Sequence, residues 1–215
     1  MFYANINLTA RINQATPLHV AVESRVSKCV EVLLEAGAEC TFTSYKGGRS
    51  PLDLAAEYGL TEILQILCSN LQNSLKKEEA KFLESSSSLQ LAARNGHVDC
   101  LKVLLDTVFV DTSSNHKNSS INFKNNLNTK VGTAVHEATL AGKSDCLLYL
   151  LDRGADFTIE NKFEQTPLEL VDKFVENRVP SNIQSYRYIT NSCLQCRDIL
   201  MFAEELQKHN LPMRA

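Results

Sequence analysis

The 215-residue sequence lacks an excess of charge of either sign. Its 22 Lys and Arg against 25 Asp and Glu leave a net charge of −3, which argues against recognition of nucleic acid or an anionic membrane surface by bulk electrostatics. The longest basic cluster, Lys76-Lys77, is followed at once by Glu78-Glu79. A long apolar run is lacking too: no stretch approaches the roughly 20 residues a helix needs to cross a bilayer, so no membrane insertion is expected. Met1-Phe2-Tyr3-Ala4-Asn5 has neither a basic start nor an apolar core, so no secretory signal is read there. The sequons Asn7-Leu8-Thr9 and Asn118-Ser119-Ser120 are therefore expected to stay unmodified in a cytoplasmic protein. Also missing are a phosphate-binding loop, a Gly-x-Ser-x-Gly elbow and an acid–base pair outside helical surface spacing. These absences predict no enzyme, no catalytic residue and no cofactor.

What the chain does have is a repeated motif. Ala15-Thr16-Pro17-Leu18-His19-Val20-Ala21 returns as Ser50-Pro51-Leu52-Asp53-Leu54-Ala55-Ala56, Ser87-Ser88-Leu89-Gln90-Leu91-Ala92-Ala93, Thr133-Ala134-Val135-His136-Glu137-Ala138 and Thr166-Pro167-Leu168-Glu169-Leu170. With Thr16, Ser50, Ser87, Thr133 and Thr166 as markers, the steps are 34, 37, 46 and 33 residues. A period near 33 dictates a stack of like units, each too small to bury its apolar face alone. Hydrophobic residues make up 44% of the sequence, ample for one continuous core.

One unit, Gly132 to Glu160, can be read physically. Thr133 is the N-cap candidate, because its hydroxyl can accept from an unpaired amide of the first turn. Ala138 and Ala141 keep the first helix slim. Gly142, like Gly59 and Gly96, lies nine residues after its marker, where the first helix must reverse through a left-handed backbone. The second helix follows over Ser144-Asp145-Cys146-Leu147-Leu148-Tyr149-Leu150-Leu151, and Gly154-Ala155-Asp156 ends it. Phe157 to Gln165 should project as a hairpin-like finger. This pattern resembles the ankyrin repeat, a short turn followed by two antiparallel helices. The resemblance implies an all-α ankyrin-repeat solenoid with hairpin-like fingers, in which His19 and His136 bridge the turns of adjacent repeats by hydrogen bonds rather than act as ligands or bases.

The expected organisation is one array over 1–209: a partial repeat over 1–13, repeats at about 14–47, 48–84, 85–130, 131–163 and 164–209, and a tail at 210–215. The helices that should precede Asn5-Ile6-Asn7-Leu8-Thr9 are missing, which suggests a fragment of a longer array. Arg25 stands where a turn glycine is expected and should strain or reshape that turn. Leu75, Phe82 and Leu83 predict an extra helical turn or two between the second and third repeats. The polar run Asp111 to Ser120 predicts a flexible insertion at about 108–124. The last repeat should keep a first helix from Thr166 to about Asn177, break at Pro180, and end in a helix over Ser192 to His209 that buries Leu194, Ile199, Leu200, Phe202, Ala203 and Leu206.

Seven cysteines, an odd number, fit an intracellular chain of free thiols. Cys29, Cys100 and Cys146 lie 13 residues after their markers, where Ile63 stands in the second repeat, so all three are expected in small buried apolar sites. Cys193-Leu194-Gln195-Cys196 with His209 would offer a metal too few ligands, since structural zinc takes four.

A finer resemblance rests on Ala92-Ala93-Arg94-Asn95-Gly96-His97-Val98-Asp99, Gly132-Thr133-Ala134-Val135-His136-Glu137-Ala138 with Gly142-Lys143, Ser50 to Gly59, and Asn161 to Val171. In that order these segments look like the C-terminal repeats of the Caskin and Odin scaffold family, over about residues 12–176. That resemblance implies an adaptor of signalling and cell-contact complexes, whose partners are proteins or peptides.

Ankyrin arrays bind partners with their finger tips and the exposed side of their first helices. Position counting selects Lys46, Arg49, Glu57, Tyr58, Arg94, Asn95, Lys130, Leu140, Lys162, Phe163, Lys173 and Phe174 as partner-binding candidates. Tyr58, Leu140, Phe163 and Phe174 stand out as large apolar side chains at positions expected to face water. The six basic members predict a basic face that would suit an acidic or phosphorylated peptide. The chain itself is expected to be monomeric. A different reading makes it a substrate receptor of a ubiquitin ligase, with Ile189-Thr190-Asn191-Ser192-Cys193 matching the apolar-to-cysteine spacing of a degenerate C-terminal SOCS-type box.

Overall fold

Three of the helices start where the sequence offers a hydroxyl followed by proline. Proline presets the first helical φ and lacks an amide that would go unpaired there anyway, while the hydroxyl in front of it accepts from the third amide of the turn. Ser50 Oγ takes the Asp53 amide at 3.1 Å, and the Asp53 carboxylate returns to the Ser50 amide at 3.0 Å, closing a reciprocal cap. Thr16 caps the first helix the same way with His19 as the returning group.

The computed structural model describes residues 5–11, 14–43, 48–73, 87–108, 132–176, 184–209 and 211. Among them lie ten helices and no strand: α1 Pro17–Glu23, α2 Ser27–Glu35, α3 Pro51–Glu57, α4 Thr61–Asn73, α5 Ser88–Asn95, α6 Val98–Val108, α7 Ala134–Leu140, α8 Ser144–Asp152, α9 Pro167–Glu176 and α10 Gln184–Lys208. They form five consecutive pairs. The first helices α1, α3, α5, α7 and α9 pack in one row, and the second helices α2, α4, α6, α8 and α10 in another. The core lies between the rows. Leu64, Leu67, Leu101, Leu105, Leu147 and Leu150 of the second helices meet Ala55, Ala56, Ala92, Ala93 and Ala138 of the first, all buried. The small residues let the rows approach, as expected from the sequence.

The turn inside each pair uses the same backbone device. Nine residues after the marker, Arg25, Gly59, Gly96 and Gly142 all have positive φ, from +58° to +84°. Arg25 thus occupies the left-handed region that its neighbours reserve for glycine, the strain foreseen from the sequence. Gly59 is required twice over, because a Cβ there would sit 2.6 Å from Nδ1 of His97 in the next pair.

Pairs are also joined by clasps. His19 Nδ1 accepts from the Thr16 amide at 3.2 Å and lies 2.8 Å from its hydroxyl. The ring proton therefore sits on Nε2, which donates to the Arg49 carbonyl at 3.1 Å. His136 repeats this arrangement with Thr133 and the Gln165 carbonyl. Asp53 does the same work with a carboxylate: Oδ2 holds its own cap, and Oδ1 accepts from the hydroxyls of Ser87 and Ser88, each at 2.9 Å. Burial lowers the pKa of His19, which keeps the ring neutral, as a clasp accepting at Nδ1 needs.

Three expectations are corrected. Cys29 is exposed, whereas Cys100, Cys146 and Ile63 are buried. That position faces the preceding second helix, as the 3.5 Å approach of Thr61 Oγ1 on α4 to Cys100 Sγ shows, and among the described residues α2 has no second helix before it. The terminal helix begins at Gln184, not Ser192, and Phe202 is on its exposed side. The expected helical turn around Leu75–Leu83, the insertion around Asp111–Ser120 and the break at Pro180 lie outside the described residues.

Candidate partner-binding face

The first-helix row and the loops before it carry those sequence-selected residues that are described. Lys46 and Lys130 fall outside the described residues. The last finger is the best defined loop. The Asn161 amide donates to the Gln165 carbonyl at 2.8 Å, and Asn161 Oδ1 accepts from the amides of Phe163 at 2.8 Å and Gln165 at 3.2 Å. Glu164 turns the chain at φ +55°. This buried asparagine fixes the tip, so Phe163, 58% exposed, and Lys162 project from a held scaffold.

Tyr58 closes α3 and is 41% exposed. Beside it, Arg49 Nη1 meets Glu57 Oε2 at 2.7 Å, tying the base of one finger to the end of the next helix. Arg94 and Asn95 end α5 at the surface, and the Asn95 amide group is turned back onto the Leu91 carbonyl at 2.8 Å. Lys173 is exposed on α9. Leu140 and Phe174 are half-buried. α10 passes beside Leu140, where the Cys193 thiol donates to the Leu140 carbonyl at 3.4 Å. Of the four large apolar candidates, Tyr58 and Phe163 are thus the exposed ones. Cys193 and Cys196 are both fully buried on α10, in the stripe that packs the helix onto the array, and burial pushes the Cys196 thiol up to about 12.

One residue of this row was not singled out by the sequence. Glu137 on α7 is buried, its Oε2 lies 4.0 Å from Arg94 Nε, and its Oε1 has no hydrogen-bond partner among the described residues. Burial raises its pKa, and the Arg94 charge offsets this in part. The signal was available: four residues after the marker the other units carry Val20, Leu54, Leu91 and Leu170, so a carboxylate breaks an apolar column. The geometry also tempers the basic face. Arg49 is neutralised by Glu57, and Arg94 stands over a carboxylate. Nothing in the row arranges a nucleophile beside a base, and among the described residues no group of three His, Cys, Asp or Glu could hold a metal ion.

Comparison with known proteins agrees with this architecture. The family described as "Ankyrin repeats (3 copies)" matches residues 2–79 and 71–161. A probable E3 ubiquitin-protein ligase of rice, XBOS32, is 29% identical over 177 residues, covering 73% of this chain and 34% of its own length. Human neurogenic locus notch homolog protein 1 is 29% identical over 164 residues, covering 76% of this chain and 6% of its own. The chain therefore spans about a third of the first relative's length and far less of the second's, and the similarity is confined to that part. The crystal structure of the ankyrin repeat protein EF0377 superposes with a TM-score of 0.62 at 22% identity, covering 89% of this chain and 85% of that one. An ankyrin repeat domain from Acinetobacter baumannii gives 0.59 at 22% identity, covering 91% and 87%; at such identity the likeness speaks for the fold alone. With the repeated caps, the positive-φ turns and the pair-to-pair clasps, the match over most of the sequence places the chain in the ankyrin-repeat family.

Proposed function

We propose that the chain is a non-catalytic interaction module, a scaffold or adaptor that binds partner proteins or peptides across its fingers and first helices. The observation that carries this reading is the exposure of Tyr58 and Phe163 on rigid supports along one row, since aromatic anchors commonly carry 2 kcal/mol or more of binding energy each. Lys162, Lys173 and the Arg94 guanidinium favour an acidic or phosphorylated stretch in the partner. The segment resemblance to the Caskin and Odin scaffolds supports a place in cytoplasmic signalling or cell-contact complexes. The test is affinity capture from cell lysate with the intact chain and with Tyr58→Glu/Phe163→Glu, both checked by circular dichroism. Partners lost only from the variant support the reading; an identical partner set overturns it.

A second reading, substrate reception for a ubiquitin ligase, is favoured by the plant ligases among the relatives. Against it, Cys193, the cysteine of the box-like spacing, is buried in α10 and bonded to Leu140, so its side chain already serves the packing of the array. Retention of ligase subunits by both bait proteins would favour this second reading.

A further inference from the structure

One joint of the first-helix row is built unlike the others. Four residues after the marker the row carries Leu54, Leu91 and Leu170, and seven after it the preceding units carry Glu23, Glu57 and Leu140. Between α5 and α7 the same two places hold Glu137 and Arg94. The Glu137 side chain is 4% exposed, while that of Arg94 is 59% exposed. Arg94 Nε lies 4.0 Å from Glu137 Oε2, too far for a hydrogen bond. The Arg94 guanidinium makes no hydrogen bond to any described residue, so its five donors are unspent among them. Arg49, Arg153 and Arg197, in contrast, hold carboxylates at 2.7, 3.0 and 2.5 Å.

The charge of Glu137 is governed by that pairing. Of the helices packed on α7, α5 brings Arg94 as its one charged residue. On α9, Glu169 accepts from the Thr166 amide at 2.9 Å, Asp172 pairs with Arg197 of α10, and Lys173 and Glu176 are exposed. Asp145 and Asp152 of α8 and Asp198 of α10 are exposed too. Within α7 itself, His136 is committed to its clasp. Burial works against the ionised carboxyl of Glu137, and Arg94 works for it. We propose that Arg94 and Glu137 form a proton-coupled seat for a carboxylate of the partner: the carboxylate pairs with the outward edge of the guanidinium, and Glu137 takes up a proton from solvent. The planar fork of arginine matches a carboxylate through two parallel bonds. An anion there draws on the charge that offsets the burial of Glu137, so the buried carboxyl gains affinity for a proton. By reciprocity, protonating Glu137 leaves Arg94 uncompensated and tightens the partner. The bound state holds more protons than the free state, so affinity rises as pH falls below 7.5. A buried carboxyl without a partner weakens a fold, and such local conflicts are expected where function uses them. The proposal rests on the reading of this face as a seat for acidic stretches and names its central contact.

The experiment follows the anisotropy of a fluorescently labelled hexaglutamate peptide with the intact chain, at constant low salt, from pH 7.5 to 5.5. Wild type should bind about three- to tenfold more tightly at the lower pH, within the limit of about tenfold per pH unit for one coupled proton. Glu137→Gln should bind more tightly than wild type at pH 7.5 and lose most of the pH response. Arg94→Gln should weaken binding at both pH values. In the chain labelled with carbon-13 in its glutamates, the carboxyl signal of Glu137, assigned by its loss in Glu137→Gln, should titrate at a higher pH with the peptide than without it. A Glu137 titration unmoved by saturating peptide overturns the proposal. So do a Glu137→Gln variant with the wild-type pH response, an Arg94→Gln variant that binds as wild type does, and a wild type that does not bind the peptide. Should Glu137→Gln lose helical signal in circular dichroism, Glu137→Leu carries the same readout. Partner capture with Tyr58→Glu/Phe163→Glu is scored separately: partners lost there without a Glu137 response leave the wider reading standing and remove only this seat.

Discussion

Glu137 is the residue whose chemistry least suits its place. Its neighbours in register are Val or Leu, yet it buries a carboxyl with one oxygen unpaired among the described residues and the other 4.0 Å from an arginine. Replacing such a group by a well-packed apolar side chain is often stabilising, so Glu137→Leu should raise stability at pH 7 by about 1–3 kcal/mol in urea unfolding. The sign of the pH dependence follows from the raised pKa. The folded state is penalised only while the group is ionised, so the penalty is full above the folded pKa and absent below about 4.3, the ordinary glutamate value. The advantage of the leucine variant should therefore shrink as pH falls towards that value. A constant advantage across the range would show that packing, not charge, sets the cost. At this scale the sequence was only partly legible. It marks Tyr58 and Phe163 as exposed aromatics because their positions repeat. It misplaced Cys29 because periodicity describes a unit with neighbours on both sides, and among the described residues no helix pair stands before α1 and α2. It passed over Glu137 because an acidic residue on a short helix looks like an ordinary surface charge.

At the scale of elements, caps and turns carried the most information. Thr or Ser before Pro starts α1, α3 and α9, and the residue nine positions after the marker sits at the reversal in the first four pairs. The start of α10 was not legible, since Gln184 to Asn191 is rich in aromatic, β-branched and amide residues of modest helix propensity. Packing along the array overrides such local preferences. The turn at Gly59 gives a prediction with an internal control. Gly59→Ala must place a side chain at φ +69° and push His97 away from the Glu57 carbonyl it meets at 3.1 Å. Gly37→Ala has a similar φ, +89°, but open space around the new methyl. The backbone cost alone is about 1 kcal/mol, so Gly37→Ala should lose about that much and Gly59→Ala measurably more in thermal unfolding. Equal losses would mean that the His97 contact carries no stability.

For the whole molecule, seven thiols report on the integrity of the stack. Cys40, just after the first pair, is buried, as are Cys68, Cys100, Cys146, Cys193 and Cys196, one or two in each later pair. Burial pushes Cys68 up to about 11 and Cys146 up to about 12, and the thiolate is the reactive form. A dilute native sample treated with a thiol reagent should therefore release one equivalent quickly, from Cys29, and the other six only as the array opens. Because coupling in a repeat array passes between neighbours, the order in which those six react maps where it opens first. Six thiols reacting together would indicate opening in one step; more than one fast thiol would contradict the packing described here.

The clasps have a direction. His19 grips the chain just ahead of the second pair, Asp53 grips the start of the third, and His136 grips the residue before the fifth. Each of these three units carries its own fastener and needs from the next only a main-chain carbonyl or a cap hydroxyl. A segment running from one marker to the next is thus a self-contained cassette. Duplicating or excising one preserves the hardware at both new junctions, so a gene encoding this chain can change the reach of its binding face by whole units without redesigning the parts that remain.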